Sequence, residues 1–337
     1  MRRLFSLAFL LATAGIPGIA SAEDQTLLHR CFTPQALEGT ASELHPSRAP
    51  TKFDITALKG QLLPYVSPIP EGLRGSIRSV ELPPGEKLIA LTFDLCETSG
   101  SVAGYDWHIV DLLRAQGVKA TFFAGGKWME THPERIAQLI ADPNFEIGSH
   151  GLRHLDMARL GSDALKDEIL LTESAYARAR KSLLDRQCAV SSAAPNAMPE
   201  RMGLMRFPYG SCNASSLAAA ADHGELTIQW DVVSGDPDPY RSAKAIAETI
   251  LTKAHPGAIV VAHANGRGKH TAEALAIAIP KLKEEGYSFV TVSELLAAGK
   301  PVIAAKCYLN QPGAFGRLAR SHRHRSDDIF SLFGPAH

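Results

Sequence analysis

Short apolar segments alternate with segments of helical periodicity between about residue 86 and residue 298 of this 337-residue chain. The apolar run Lys87–Leu95 predicts a buried strand, and Tyr105–Gln116 has the apolar spacing of a helix that Gly117 ends. About seven such strand–helix units follow one another, which predicts a parallel barrel or a doubly wound sheet. Nearly continuous apolar runs such as Ile259–Val261 indicate that helices cover both faces of this sheet.

The chain begins with a segment that has the features of a signal peptide. Arg2 and Arg3 precede the apolar run Leu4–Ala14, and Ala20–Ala22 has the small residues of a cleavage site. We therefore expect residues 1–22 to be removed and the protein to be exported to the periplasm or the extracellular space, with an uncleaved anchor as the alternative. No later apolar segment has the length of a membrane-spanning helix, so we expect no stable membrane span after cleavage.

Three regions follow this segment. Residues 23–80 are rich in proline and poorly periodic, which predicts an N-terminal extension that wraps the core. Residues 81–300 contain the alternating pattern and are expected to form the main α/β domain. Residues 301–337, with the His/Arg-rich segment 321–325, are predicted to be a C-terminal surface tail, with metal or anion contact as the alternative.

Acidic and basic residues balance, at 35 Asp+Glu and 35 Lys+Arg. A general binder of nucleic acid or of an anionic membrane needs a basic excess. We therefore expect neither partner, although a local basic patch remains compatible with the sequence. The sequence carries no signal for an oligomeric state.

The five cysteines are compatible with disulfides once the chain is exported. The sequence alone does not fix their pairing. One arrangement joins Cys31 to Cys307 and Cys188 to Cys212, which leaves Cys96 unpaired. In the alternative, several of the cysteines are buried free thiols.

Polar or titratable side chains follow nearly every predicted strand. In parallel α/β folds the catalytic groups collect at the carboxyl ends of the strands, so these side chains are expected to share one rim. The candidates in chain order are Asp94, His150, His154, Arg206, Trp230, Asp236 and His263. Their repeated position predicts one active site on that rim.

Each residue type has a chemical interpretation and a plainer one. His150 and His154, four residues apart on a predicted helical turn, suit a divalent transition metal, most readily zinc, or are ordinary hydrogen-bonding histidines. Asp94 is a candidate metal ligand, general base or turn cap, and Arg206 is its ion-pair partner or a surface residue. His263 is a candidate general acid or a packed rim histidine.

The turn after Arg206 and the indole of Trp230 are expected to shape the substrate site. Pro208 ends strand pairing and fixes the next turn, which can aim backbone N–H groups at a ligand oxygen. Trp230 forms an apolar wall beside His263 or is simply part of the core.

Five short segments carry the candidate residues in a fixed order: Thr92–Asp94, His150–His154, Arg206–Tyr209, Trp230–Asp236 and Val261–His263. Together they resemble the motifs of the polysaccharide deacetylases with a NodB-homology domain, carbohydrate esterase family four. The resemblance extends over residues 87–299, and the order and spacing of the segments make it specific.

This resemblance implies a distorted (β/α) barrel of about seven parallel strands, and metal-dependent removal of N- or O-acetyl groups from sugars. It also implies the following roles: metal binding by His150 and His154, general base catalysis by Asp94, orientation of Asp94 by Arg206, an oxyanion contact from the backbone N–H of Tyr209, proton donation by His263, and tuning of this network by Asp236. We assign Trp230, Asp236 and Pro208 to the substrate site.

The chain departs from the family pattern at the first motif. The family's second aspartate, its third metal ligand, corresponds to Leu95, whose side chain cannot bind a metal. Cys96 and Glu97 stand where the family has Gly-Pro, and Pro237 replaces the tryptophan of the fourth motif. Three outcomes are open: Asp94 binds the metal with water or Glu97 as the base, Glu97 becomes the replacement ligand, or metal binding is weak or lost.

We favour a site in which Glu97, or Asp94 in its place, joins His150 and His154 around one divalent transition metal, with zinc as the first choice. Two histidines and one carboxylate leave open positions for water and substrate, as catalysis requires. A thiolate from Cys96 is a further alternative, but an exported thiolate is prone to oxidation.

Three functions are compatible with these residues. The first is a metal-dependent hydrolase that removes N-acetyl groups from a cell-envelope or extracellular polysaccharide, such as peptidoglycan or an exopolysaccharide. The second is an amidase or cyclic-amide hydrolase that acts on a small substrate. The third is a metal-free, non-catalytic glycan-binding protein, which Leu95 favours. The shared presence of His150, His154, Arg206 and His263 favours an enzyme, because an idle site has no physical reason to bury polar groups.

Overall fold

The computed structural model describes residues 26–47, 53–61, 63–190 and 198–308. The predicted signal peptide, residues 1–22, and the His/Arg-rich segment 321–325 lie outside the described residues. Along the described parts of the chain, no helix combines the length and the apolar character that crossing a membrane requires.

The main sheet and its helices follow the alternating pattern of the sequence. The strands are β1 Ser76–Glu81, β2 Leu88–Leu95, β3 Ala120–Ala124, β4 Phe145–Ser149, β5 Leu204–Met205, β6 Leu226–Ile228, β7 Val232–Val233, β8 Ile259–His263, β9 Ser288–Phe289 and β10 Lys300–Ala304. The α-helices are α1 Leu27–Cys31, α2 Pro34–Leu37, α3 Trp107–Ala115, α4 Gly126–Thr131, α5 Pro133–Ala141, α6 Ser162–Leu184, α7 Gln187–Val190, α8 Ala214–Asp222, α9 Ala243–Lys253, α10 Thr271–Glu284 and α11 Val292–Ala298.

Local side chains define where several helices begin. The side-chain oxygens of Asn213, Ser242 and Thr291 accept hydrogen bonds from the backbone N–H groups that α8, α9 and α11 leave unpaired in their first turns. Pro133 occupies the first position of α5, where its missing N–H has no helical partner to lose.

The sheet runs in the order β10-β1-β6-β5-β4-β3-β2-β8-β7, with β9 paired to β2. All of these pairs are parallel except β1 with β10. The sheet curls until β1 meets the segment before β8, where the N–H of Val80 donates to the carbonyl of Gly257 at 2.9 Å. Gly257 has φ of +85°, and a Cβ atom there would lie 1.7 Å from the carbonyl oxygen of Val80. The predicted distorted (β/α) barrel is confirmed as an α/β fold whose curled, mostly parallel sheet forms a half-barrel.

Strand β2 separates two apolar layers. Leu91, Phe93 and Leu95 pack in the larger cluster with residues of α3, α5 and α10, whereas Ala90 packs in the second cluster with residues of neighbouring strands and of α11. Side chains alternate between the two faces of a strand, so Asp94 projects to the opposite side from Leu95. This alternation fixes which residues of the first motif can reach the site.

The extensions contribute strands to the sheet. β1 begins at Ser76, inside the predicted N-terminal extension, and β10 ends at Ala304, inside the predicted tail. Both segments were too short and weakly periodic to be predicted as strands. The segment 226–233 is divided into β6 and β7, because the N–H of Gln229 donates to the carbonyl of Ile77 in β1 and the N–H of Asp231 donates to the carbonyl of Ile259 in β8.

Two disulfides join segments that are distant in the sequence. They are Cys31–Cys188 and Cys212–Cys307, so the pairing Cys31–Cys307 with Cys188–Cys212 was wrong. Helix α1 lies against α7, which places Cys31 beside Cys188, and the chain after β10 returns to the loop that holds Cys212. Cys96 is buried and free, as that arrangement predicted.

Candidate active site

The carboxyl ends of β2, β4, β5 and β8 bring four polar side chains together. One carboxylate oxygen of Asp94, Oδ1, accepts a hydrogen bond from Nη1 of Arg206 at 2.9 Å. The other, Oδ2, lies 3.6 Å from Nε2 of His150. Asp94 and His263 are direct register partners in the parallel pair β2–β8. Residues separated by up to 169 positions therefore share one buried rim.

Arg206 holds Asp94 in the interior. Its guanidinium is fully buried, donates to the carbonyl oxygens of Ile228 and Gln229, and lies 4.1 Å from the ring centre of Phe123. Burial by itself raises the pKa of Asp94, but its neighbours His150, Arg206 and His263 together hold this pKa below its ordinary value. Asp94 is therefore ionised in the folded protein at neutral pH.

His150 and His154 lie on a loop rather than on the helical turn that the sequence predicted. The loop follows β4, and His154 has a left-handed backbone with φ of 56°. Their ring centres are 5.2 Å apart. The loop is held by Glu168 of α6, whose buried carboxylate accepts hydrogen bonds from the backbone N–H groups of Leu152 and Arg153, both at 2.9 Å. Glu168 lacked a sequence signal, because it acts through tertiary contacts alone.

Both histidines are in the form that binds metals. Burial lowers the pKa of His150 and holds that of His154 well below its ordinary value, so both rings are neutral. Nδ1 of His150 donates to the carbonyl oxygen of Arg206 at 2.8 Å, which leaves Nε2 as an acceptor. Nδ1 of His154 is buried and has no hydrogen-bond partner within the described residues. These features fit a metal site.

Cys96 supplies a third group beside the two histidines. One potential ligand atom from each of Cys96, His150 and His154 lies within 4.8 Å of the others. The side-chain amide of Asn265 donates to Sγ of Cys96 at 3.2 Å and to its carbonyl oxygen at 2.9 Å. Burial raises the pKa of Cys96 to about 12, so the thiol stays protonated unless a cation lies beside it.

Glu97 turns away from the histidines, contrary to the expectation that it completes the ligand set. Its carboxylate lies 3.1 Å from Nζ of Lys127 and accepts hydrogen bonds from Thr131 and from the N–H of Ala103. Lys127 and Glu97 are both almost completely buried, and each compensates the charge of the other. The alternation that places Asp94 and Cys96 on the site side places Glu97 on the far side.

His263 is held by Asp236, whose side chain is entirely buried. Oδ1 of Asp236 lies 2.9 Å from Nδ1 of His263, and Oδ2 accepts from the His263 N–H at 2.7 Å and from Thr271 at 2.8 Å. Asp236 therefore positions His263 and is not exposed to substrate, which corrects its assignment to substrate binding. Burial lowers the pKa of His263, but the negative charges of Asp236 and Asp94 raise it above its ordinary value overall.

The turn after Arg206 brings an aromatic ring to the histidines. Pro208 begins a single 3₁₀ turn in which Tyr209 has a left-handed φ of 61°. The Tyr209 ring meets the ring of His154 edge-on, with centres 4.4 Å apart. Pro208 is buried within this turn and does not line the cavity, so its assignment to substrate binding is not supported.

A cavity of about 280 Å³ opens over these residues. Asp94, Cys96, His154, Tyr209, Trp230 and His263 line it together with Pro46, Pro237, Gly266, Arg267 and Lys269. The last three residues lie in the loop shortly after His263 and could have been selected from the sequence as a polar segment after a strand. Pro46 could not, because it belongs to the N-terminal extension. A larger cavity of about 660 Å³, near residues 58–61, residues 63–66 and α6, is lined by none of the polar rim residues.

The sequence profile of the polysaccharide deacetylases matches residues 81–227. A peptidoglycan-N-acetylglucosamine deacetylase of Bacillus cereus is 32% identical over 221 residues, which cover 64% of this chain and 91% of that protein. A peptidoglycan-N-acetylmuramic acid deacetylase of Bacillus subtilis is 28% identical over 214 residues, covering 63% of this chain and 72% of that protein.

Solved structures agree with these relatives. A peptidoglycan N-acetylglucosamine deacetylase matches with a TM-score of 0.56 and 25% identity, covering 68% of this chain and 96% of that one. A pseudoenzyme of carbohydrate esterase family four from Bacillus anthracis matches with a TM-score of 0.53 and 28% identity, covering 67% and 70%. A mutant of that pseudoenzyme has restored enzymatic activity. The profile, the relatives and the shared fold show that this chain belongs to the polysaccharide deacetylases, carbohydrate esterase family four.

Proposed function

We propose that the protein is an exported, metal-dependent hydrolase that removes N-acetyl groups from a cell-envelope polysaccharide. The observation that carries this proposal is the shared cavity of Asp94 and His263, one a carboxylate and the other a histidine with a raised pKa. Hydrolysis of an amide requires one group that accepts a proton from water and another that returns a proton to the leaving nitrogen. A carboxylate with a lowered pKa and a histidine with a raised pKa, both facing one cavity, can provide these two roles.

The residues divide the reaction between them. Asp94 accepts the proton of the attacking water on Oδ2, since Oδ1 is held by Arg206. The water oxygen bonds to the acyl carbon, the carbon–nitrogen bond breaks, and His263 donates its proton to the departing amine. The products are acetate and a free amino sugar. A divalent cation bound by His150 and His154 would polarise the acyl carbonyl.

The substrate class rests on the relatives and on the cavity. Several relatives are named for deacetylation of peptidoglycan amino sugars. A cavity of about 280 Å³ lies at the small end of the range for ligand sites, which suits one sugar ring with its acetamido group. Export is supported by the signal-like residues 1–22 and by two disulfides, which persist in oxidising compartments.

The non-catalytic alternative has one specific observation in its favour, because Leu95 stands where the family has a ligating aspartate. The buried polar set argues against it. An ionised Asp94 and a fully buried Arg206 are costly to keep in the interior unless the site uses them.

The test is acetate release from peptidoglycan and from N-acetylglucosamine oligomers by the purified full chain. We expect Asp94→Asn and His263→Ala each to lower kcat/KM by about 10²–10⁴-fold. Asp163→Asn, on the exposed start of α6, is the matched control and should retain activity. Treatment with a chelator should abolish turnover, and added zinc should restore it. If the metal-loaded wild type releases no acetate from either glycan, this proposal fails and the glycan-binding alternative replaces it.

A further inference from the structure

The first motif leaves the two histidines without the family's anionic partner at position 95. Leu95 is fully buried in the apolar cluster beneath the helices, and its backbone carbonyl accepts from the N–H of Gly125. A rotation of this side chain toward the site would empty part of the core. The anionic ligand has to come from another residue.

Cys96 can supply the metal ligand that Leu95 cannot. It is the next residue after β2, lies on the same side as Asp94, and lines the active cavity with it. Its sulfur and one nitrogen from each of the two histidines form a triangle with sides no longer than 4.8 Å. A single cation can bridge atoms at such separations, because zinc–sulfur and zinc–nitrogen bonds are about 2.3 and 2.0 Å long.

Two contacts around Cys96 fit a sulfur that binds a metal. The amide of Asn265 donates to both the sulfur and the carbonyl oxygen of Cys96, which fixes the direction of Sγ. Hydrogen bonds to ligating sulfur atoms are typical of metal–thiolate sites. The neighbouring Nδ1 of His154 is buried and has no hydrogen-bond partner in the described part of the chain. This unpaired nitrogen is a second observation in favour of a metal ion at this site.

We propose that Cys96 is the third protein ligand of the metal, bound as a thiolate beside His150 and His154, and that it makes the site selective for a thiophilic divalent cation such as zinc. This inference rests on the metal dependence in the proposed function. Binding releases one proton from the Cys96 thiol to solvent, and the thiolate carries the single negative charge that the family's carboxylate would carry. Net charge and open positions are therefore kept, while the softer sulfur disfavours magnesium, calcium and manganese.

This assignment also leaves Asp94 free for catalysis. Asp94 is the alternative anionic ligand near the histidines, but one of its carboxylate oxygens accepts a hydrogen bond from Arg206. With Cys96 as the ligand, Oδ2 of Asp94 remains available to accept the proton from water. A site that used Asp94 as the ligand would lack a base in the cavity, since Glu97 faces Lys127.

Cobalt substitution tests the inference directly. Cys96 is the one cysteine outside the two disulfides, so a thiolate-to-cobalt charge-transfer band in the near ultraviolet can arise from no other residue. We expect the full chain, stripped with a chelator and titrated with Co²⁺, to bind one equivalent and to show this band. Cys96→Ala should lose the band and bind metal at least about tenfold more weakly. Cys96→Asp should bind one equivalent without the band.

The outcomes separate this inference from the proposed function. Stoichiometric Co²⁺ without the band, and equal affinity in Cys96→Ala, would overturn the thiolate ligand and leave metal-dependent deacetylation standing. Failure of the wild type to bind any metal would overturn both. The wild-type spectrum decides the question even if Cys96→Ala folds poorly, and far-ultraviolet circular dichroism of each variant identifies that case. Glu97→Gln should retain the band, because Glu97 lies on the other side of the chain.

Discussion

At the scale of single residues, the ion pair of Asp94 and Arg206 governs both stability and chemistry. Arg206 is fully buried and Asp94 is 4% exposed, so neither charge is hydrated in the folded state. Such a pair adds little net stability, but the loss of one partner leaves an uncompensated buried charge.

We expect Arg206→Met to lower the free energy of unfolding by about 3–5 kcal/mol at neutral pH. Because the folded pKa of Asp94 is lowered, its stabilisation is present above the ordinary carboxyl pKa and is lost as the pH falls through the folded value. The difference in the free energy of unfolding between the wild type and the variant should therefore be smaller in acid. Urea unfolding at neutral and acidic pH measures this difference. The double variant with Asp94→Leu should be less destabilised than Arg206→Met, and an equal loss would contradict the ion-pair explanation.

Asp236 sets the protonation of His263 from a buried position. We expect Asp236→Asn to lower the pKa of His263, because the variant removes the charge that raises it most. The alkaline limb of the kcat/KM profile should then move to lower pH. Thr271→Val is the control: it removes one hydrogen bond from Asp236 but keeps the charge, so its limb should stay near that of the wild type. An unmoved limb in Asp236→Asn would exclude His263 as the general acid.

At the scale of elements, two loops are shaped by buried charges on neighbouring helices. Glu168 of α6 orders the histidine loop, and Lys127 of α4 draws Glu97 away from the site. These contacts decide which side chains reach the cavity, although neither charge touches it.

We expect Glu168→Gln to weaken metal binding by about 10–100-fold, the range seen for residues that orient ligands. The amide can accept fewer of the three N–H donors that reach Glu168 from Leu152 and Arg153, so His154 should lose its fixed position. Titration of the apo protein with zinc measures the affinity. Asp167→Asn on the same helix is the matched control. Unchanged affinity in Glu168→Gln would show that the loop is ordered by other contacts.

The N-terminal segment is anchored by Glu43, which forms a two-pronged contact with Arg135 of α5. The hydrogen bond from Arg135 lowers the pKa of Glu43 to about 2. Its stabilisation is thus present above the ordinary carboxyl pKa and is lost as the pH falls toward about 2. The Tm of Glu43→Gln should lie below that of the wild type at pH 6, and the difference should close in acid. The exposed Glu38→Gln should match the wild type throughout, and a pH-independent gap for Glu43→Gln would refute the linkage.

At the scale of the whole molecule, two disulfides tie the extensions to the barrel. Cys31–Cys188 spans 157 residues, and Cys212–Cys307 spans 95. Loops of this size imply a stabilisation of roughly 4–5 kcal/mol each in the chain-entropy description. The balanced net charge of the chain is compatible with a substrate held mainly by shape.

We expect a thiol reductant to lower the Tm of the full chain by several degrees, because it removes both constraints on the unfolded state. Denatured protein should titrate as one thiol before reduction. Cys212→Ser with Cys307→Ser should show a smaller response to reductant than the wild type, since one constraint is already absent. A wild-type Tm that does not respond to full reduction would contradict a stabilising role.

The sequence by itself determined the fold class and the chemical types at the rim. Apolar runs and helical periodicity are local properties, so β2 was predicted to within one residue and the apolar part of β8 was recognised from the sequence. The strand ends then identified Asp94, Arg206 and His263, because parallel strands end on one rim.

Only the tertiary structure decided which of these side chains meet. It replaced the helical turn of His150 and His154 with a loop, exchanged the disulfide partners, and brought Cys96 rather than Glu97 to the histidines. Each outcome depends on groups far away in the chain, such as Lys127 for Glu97. Local sequence patterns predict whether a segment is a helix or a strand. The partners of a buried charge or a cysteine depend instead on which distant segment the fold places beside it.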